Sequence, residues 1–170
     1  MPKMPTILDF SEYDLNHVVA DIEEIRRYNP QRFEMEQLTA VCYENRETKT
    51  CVAYKDVRDD EFWVRGHMPG MPLMPGVLMC EAAAQLASYC TMKWKLIDVE
   101  MVGYGGLEGV RFRGVVRPGD RLVIIARLLK ARRAMLTCEF QGFVNRELVF
   151  EGVLKGIPLP VSQLRAQSIA

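Results

Sequence analysis

The chain is 170 residues long and 49% apolar, enough for one domain with a substantial core. Its 22 basic and 22 acidic side chains cancel, and the basic ones are scattered through apolar alternation, a pattern that excludes a nucleic-acid footprint. The two halves differ in sign, with 9 Lys/Arg against 15 Asp/Glu in residues 1–85 and 13 against 7 in residues 86–170, which fits either an uneven surface field or self-complementary halves.

Residues 1–10 lack a basic region followed by an apolar stretch, so no secretory signal is read there and a cytoplasmic protein is expected. Leu15, Val18, Val19, Ile22 and Ile25 recur at helical intervals among acids, and Pro30 follows, which predicts an amphipathic helix over about 15–28. Residues 38–44 and 49–57 have strand composition and flank the polar Asn45-Arg46-Glu47-Thr48, which predicts a hairpin. Residues 62–65 read as a further short extended piece.

Pro69, Pro72 and Pro75 then recur every third residue, with Gly70 and Gly76 between them. This spacing suits a polyproline-like passage that would line Met68, Met71 and Met74 along one edge. A helix over about 76–96 comes next, apolar or small around most of its circumference, as in a helix enclosed by other structure. Ala82, Ala83, Ala84, Ala87 and Ser88 would let a sheet approach it closely. Glu81, Gln85, Lys93 and Lys95 interrupt its apolar run, which argues against a membrane span.

The glycine-rich run 103–109 lacks the spacing of a phosphate loop and precedes a strand, so it is expected as a loop or bulge near the helix exit. Residues 110–116, 121–130, 134–144 and 147–157 are strand-like, with connections too short for crossover helices, so they pair as an antiparallel meander. The tail from 158 is expected at the surface or disordered. One long helix followed by such a meander outlines an α+β domain over 1–170, its antiparallel sheet wrapped around the helix. The five cysteines are odd in number and embedded in apolar runs, which fits buried thiols better than a disulfide framework, and with only His17 and His67 available no metal site is expected.

The informative stretch is Gly66-His67-Met68-Pro69-Gly70-Met71-Pro72-Leu73-Met74-Pro75-Gly76-Val77-Leu78-Met79-Cys80-Glu81-Ala82-Ala83-Ala84-Gln85. It resembles the β-hydroxyacyl-acyl-carrier-protein dehydratases of FabZ type, whose signature is a His-Phe-Pro-Gly passage, then Pro-Gly-Val-Leu, then a helix bearing Glu-Ala-x-Ala-Gln. Asp21-Ile22-Glu23-Glu24-Ile25, Pro30 and Arg32 resemble the family's amino-terminal helix and its exit. Val110-Arg111-Phe112-Arg113, Val116 and Pro118-Gly119-Asp120 resemble a later strand and turn, so the likeness covers roughly residues 20–157. Met68 stands where the family usually has phenylalanine, and residues 33–38 depart from its usual apolar strand.

The resemblance implies the hot-dog fold and dehydration of β-hydroxyacyl thioesters. That reaction removes a proton beside the carbonyl, protonates a departing hydroxyl and stabilises charge on the thioester oxygen. His67 fits the base, since imidazole titrates near cellular pH. Glu81 fits the acid, because an apolar helix favours the protonated form of a carboxyl, and Gln85, one turn on, shares its face and could orient it. The free N–H groups of Gly76 and Val77, at the positive end of the helix dipole, fit the oxyanion role. The competing use of Glu81 is a core carboxyl paired with Arg111 or Arg113. Met68, Met71, Leu73 and Met74 either border an acyl tunnel or fill a core.

Arg111, Arg113, Arg117, Arg121, Arg132 and Arg133 either dock an acidic acyl carrier protein or are solvated charge. The resemblance also implies active sites shared across a homodimer, His from one subunit and Glu from the other, often as trimers of dimers. No metal or redox cofactor is needed, because the pantetheine arm arrives with the substrate. A hot-dog thioesterase and a non-catalytic acyl-binding or scaffold subunit remain the alternatives.

Overall fold

The computed structural model describes residues 5–167. Its helices are α1 (Ile22–Arg26), α2 (Gly76–Lys93) and α3 (Val161–Gln167), and its strands are β1 (Ala40–Asn45), β2 (Thr50–Asp56), β3 (Val102–Phe112), β4 (Arg121–Arg132), β5 (Met135–Val144) and β6 (Glu147–Pro158). The strands form one antiparallel sheet in the order β1-β2-β4-β5-β6-β3.

Alternation along the strands divides the core in two. Leu122, Ile124, Ala126 and Leu128 of β4 and Leu136, Cys138 and Phe140 of β5 turn to the face that curls around α2. Val52, Tyr54, Val123, Ile125 and Phe143 turn to the opposite face, where Ile7, Leu8, Phe10 and Leu15 cover them. Gln141 ties that covering segment down: its Oε1 accepts the Ile7 N–H at 2.9 Å and its Nε2 donates to the Pro5 carbonyl at 3.1 Å. Because both faces are covered, β4 is buried without interruption from Leu122 to Ala126. Ala82, Ala83 and Ala87 of α2 are buried against the sheet, and their small side chains permit the close approach. This is the hot-dog arrangement that the resemblance implies.

Several elements differ from the sequence reading for identifiable reasons. The apolar stripe at 15–28 is not one helix. Only Ile22–Arg26 is helical, begun by the Asp21 carboxylate, which accepts the Glu24 N–H at 2.9 Å. Val19 and Ala20 instead donate their N–H groups to the Val41 carbonyl, and sheet pairing outweighs a helix too short to be stable alone. Residues 62–66 are consecutive turns, not an extended piece, with Val64 N–H bonded to the Glu61 carbonyl and Gly66 N–H to that of Trp63. The proline passage also turns before it extends. Met68 has a φ of 68°, and the Met71 N–H closes onto the Met68 carbonyl, so the three methionines share no edge.

The glycine-rich run 103–109 lies inside β3, with bulges at Tyr104/Gly106 and Glu108/Arg111, and residues 113–116 have left the strand. The tail contains α3. Cys51 of β2 and Cys90 of α2 form a disulfide across the core, while Cys42, Cys80 and Cys138 are the buried free thiols.

Between β2 and α2 the chain has no regular element, yet a buried ion pair anchors it: Lys55 Nζ lies 2.9 Å from Glu61 Oε1, each side chain 6% exposed. Glu61→Leu strands the Lys55 ammonium in the interior and should cost about 3 kcal/mol in chemical denaturation. The double variant Lys55→Met/Glu61→Leu should recover most of that loss, whereas equal destabilisation of single and double would show the two groups uncoupled.

Candidate active site

His67 lies in the connection from β2 to α2, where its N–H donates to the Trp63 carbonyl at 2.7 Å. Trp63 is buried beneath, and beyond the histidine the Met74 N–H donates to the Val116 carbonyl at 2.8 Å, so both sides of the turn are held. The imidazole Nδ1 stands 2.7 Å from the Leu73 carbonyl oxygen. A carbonyl only accepts, so Nδ1 carries the hydrogen of this contact and Nε2 is the ring nitrogen left free of it.

Glu81 projects from the second turn of α2 and is half-buried. Gln85 Nε2 donates to Glu81 Oε1 at 2.8 Å and to the Met35 carbonyl at 2.7 Å, while Gln85 Oε1 accepts the Gln37 N–H at 2.9 Å. The orientation of this amide is thus set by its surroundings. Gln31 Nε2 is a second, longer donor to the same Glu81 oxygen at 3.4 Å. With both donors on Oε1, Oε2 has no protein donor among the described residues, and a proton on this carboxyl resides there. The alternative partner Arg113 is engaged elsewhere, at 2.5 Å from Glu151.

Gln31 is itself clamped by its neighbour. The Arg32 guanidinium donates to the carbonyls of Asn29, Gln31 and Arg26. Gln31 Oε1 is buried without a hydrogen-bond partner, an open acceptor beside the carboxyl.

A cavity of about 210 Å³ opens beside Glu81 and Gln31, walled by Ala84 and Ser88 of α2 and by Leu136 and Leu154 of the sheet. Tyr104 also lines it and donates to the Cys80 carbonyl at 3.3 Å. Burial, then the neighbouring Cys80 and Glu81, push the Tyr104 pKa up, so its hydroxyl stays neutral. Burial likewise pushes the Cys80 thiol up to about 11, which removes it as a thiolate nucleophile at neutral pH. His67 does not line this cavity.

At the start of α2 the Pro75 carbonyl accepts the N–H groups of Leu78 and Met79. Those of Gly76 and Val77 have no protein acceptor among the described residues, as the first turn of a helix allows. Gly76 lies against Phe112: a Cβ there would stand 2.7 Å from the ring Cζ, so the exposed ring would have to shift. Val77 is 75% exposed.

The structure distributes the remaining candidates. Met74 is in the core, Met68 and Met71 are exposed, Leu73 contributes its carbonyl, and none of the four lines the cavity beside Glu81. Arg121 forks onto Asp56 and stacks on Tyr54. Arg121 and Arg132 begin and end β4, roughly 35 Å apart. Arg117 precedes β4 and Arg133 follows it, so these four arginines fall at the two ends of that strand. The residue pattern did not mark Gln31, Tyr104 or the Leu73 carbonyl. Gln31 had a usable signal, since it stands between Pro30 and Arg32, two of the residues that carried the resemblance.

A FabA-like domain model matches residues 29–153. The 3-hydroxyacyl-[acyl-carrier-protein] dehydratase FabZ of Thiobacillus denitrificans is 36% identical over 137 residues, covering 79% of this chain and 94% of the relative. That of a Janthinobacterium species is 37% identical over 138 residues, covering 79% and 87%. Among solved structures, the dehydratase heterocomplex ApeI:P from Xenorhabdus doucetiae superposes with a TM-score of 0.69 at 18% identity, covering 84% of this chain and 95% of that one. A thioesterase superfamily member from Thermus thermophilus, TTHA0967, gives 0.57 at 19% identity, covering 69% and 86%. At such identities these two likenesses concern the fold alone. The sequence match takes in His67, the start of α2 and Glu81 together, and this chain belongs to the FabA-like family.

Proposed function

We propose that this protein dehydrates β-hydroxyacyl thioesters to trans-2-enoyl thioesters in fatty-acid synthesis, acting on substrate tethered to acyl carrier protein. The names of its FabZ relatives support the reaction and the carrier. The observation that carries the reading is a pair of complementary groups: an imidazole whose Nδ1 is committed to the Leu73 carbonyl, and a carboxyl whose Oε2 is left open.

His67 Nε2 takes the proton from C2 of the acyl chain. The released electron pair becomes the C2=C3 double bond as the C3–O bond breaks, and Glu81 Oε2 gives its proton to the departing hydroxyl, which leaves as water. Charge that develops on the thioester oxygen is met by the N–H groups of Gly76 and Val77. Return of the proton from His67 to Glu81 through solvent resets the pair. The fatty tail occupies the cavity walled by Ala84, Ser88, Leu136 and Leu154.

The two groups meet between subunits, with His67 of one chain placed over the partner subunit's Glu81. Two observations support this: His67 does not line the cavity of its own Glu81, and β3 is an unpaired sheet edge with exposed Tyr104, Leu107 and Phe112. The assembly is a homodimer or a trimer of such dimers, in the cytoplasm.

His67→Ala and Glu81→Ala should each lower kcat by at least about 100-fold, read as enoyl absorbance in the ultraviolet. Release of free thiol without enoyl formation by the unaltered protein would indicate a thioesterase, and binding of acyl carrier protein without turnover would indicate a scaffold. The two inactive variants, unfolded and refolded together, should regain activity in mixed dimers. No recovery despite proven mixed assembly would reject the shared site.

A further inference from the structure

We infer that Leu159, in the link between β6 and α3, closes the far end of the cavity beside Glu81 and so limits the acyl chain to medium length. This rests on the dehydratase reading and adds to it the substrate class. Glu81, Ala84 and Ser88 are spaced three and then four residues apart, so they form one stripe of α2, which runs about 10 Å along the helix axis. The opposite wall is β3, and its direction can be read from two hydrogen bonds. Tyr104 reaches the Cys80 carbonyl, which marks the Glu81 end. Three residues earlier, the Met101 carbonyl accepts the Leu159 N–H at 3.0 Å, which marks the other end.

The leucine side chain also packs onto β3. A Cβ on Gly103 would stand 2.6 Å from Leu159 Cγ, so the glycine leaves the space in which the side chain lies against β3. Leu159 belongs to the cavity lining, and it lies beyond residues 29–153, the part shared with the family model. The length stop thus lies outside the segment that the family model matches.

The reaction sets the substrate's register. With C3 and its hydroxyl at Glu81, the remaining tail runs along Ala84 and Ser88 toward Leu159. At about 1.3 Å of advance per carbon of an extended chain, about 10 Å accommodates roughly seven further carbons. The favoured substrate is therefore about ten carbons long, and a sixteen-carbon chain meets Leu159.

The test compares kcat/KM for four-, ten- and sixteen-carbon β-hydroxyacyl thioesters in the unaltered protein, Leu159→Ala and Leu159→Trp. Leu159→Ala should raise the sixteen- to four-carbon ratio by at least about tenfold, and Leu159→Trp should lower the ten- to four-carbon ratio by a similar factor. Unaltered ratios in both variants, each with a normal melting transition, would overturn the inference. Should Leu159→Ala fail to fold, the tryptophan variant decides alone. If the unaltered protein forms no enoyl product at any length, the dehydratase reading fails and takes this inference with it, an outcome distinct from normal turnover with unchanged length preference.

Discussion

A helix enclosed by a curled sheet cannot carry a carboxyl unless that carboxyl is hydrogen-bonded, and the site is organised around this constraint. Glu81 meets it through Gln85, one turn along the same helix. Gln85 in turn needs partners for the rest of its amide and finds them in the Met35 carbonyl and the Gln37 N–H. The demand of one acid thus fixes how residues 29–37 lie across α2, reinforced where Asn29 Nδ2 donates to the Gln85 carbonyl. The start of α2, by contrast, has unpartnered N–H groups because it is the first turn of a helix, and these are the donors proposed for the thioester oxygen.

His67, the proposed base, is positioned by different means. His67 stands on consecutive turns, so backbone hydrogen bonds and buried anchors do the work that a helix does for Glu81. Trp63 and the Lys55–Glu61 pair root the turns in the core, and the Leu73 carbonyl selects the tautomer. Met68, with its positive φ, turns the chain sharply enough to bring Leu73 back under the imidazole. A polyproline-like passage, extended throughout, would carry Leu73 away from the ring instead.

Much of the architecture was legible because it depends on local chemistry. The Pro75-Gly76 step announced α2, and short polar turns separated β4, β5 and β6 to within about two residues. What stayed hidden depends on distant partners. Val18 and Val19 fit a helical stripe, but an open edge beside Val41 claims the backbone around them. The run from Gly103 to Gly109 had the composition of a loop, yet it is a strand whose glycines accommodate side chains such as Leu159. Cys51 and Cys90 are 39 residues apart and meet only when α2 lies on β2. The candidate residues His67, Glu81 and Gln85 were marked by the motif that carries the resemblance, not by residue type alone. A backbone acceptor such as the Leu73 carbonyl carries no residue signature at all. The methionines of the proline passage suggested a tunnel by periodicity, but their positions follow from a turn that periodicity did not foresee.

The proposed reaction requires that the imidazole of one subunit and the carboxyl of another flank the same two carbons. The most direct measurement is a crystal structure of the assembled protein with a non-hydrolysable enoyl thioester analogue bound. His67 Nε2 is expected within about 4 Å of C2 and the partner subunit's Glu81 beside C3, with the analogue's carbonyl oxygen at the N–H groups of Gly76 and Val77. An analogue bound elsewhere, with His67 and Glu81 facing separate spaces in every arrangement of subunits, would contradict it.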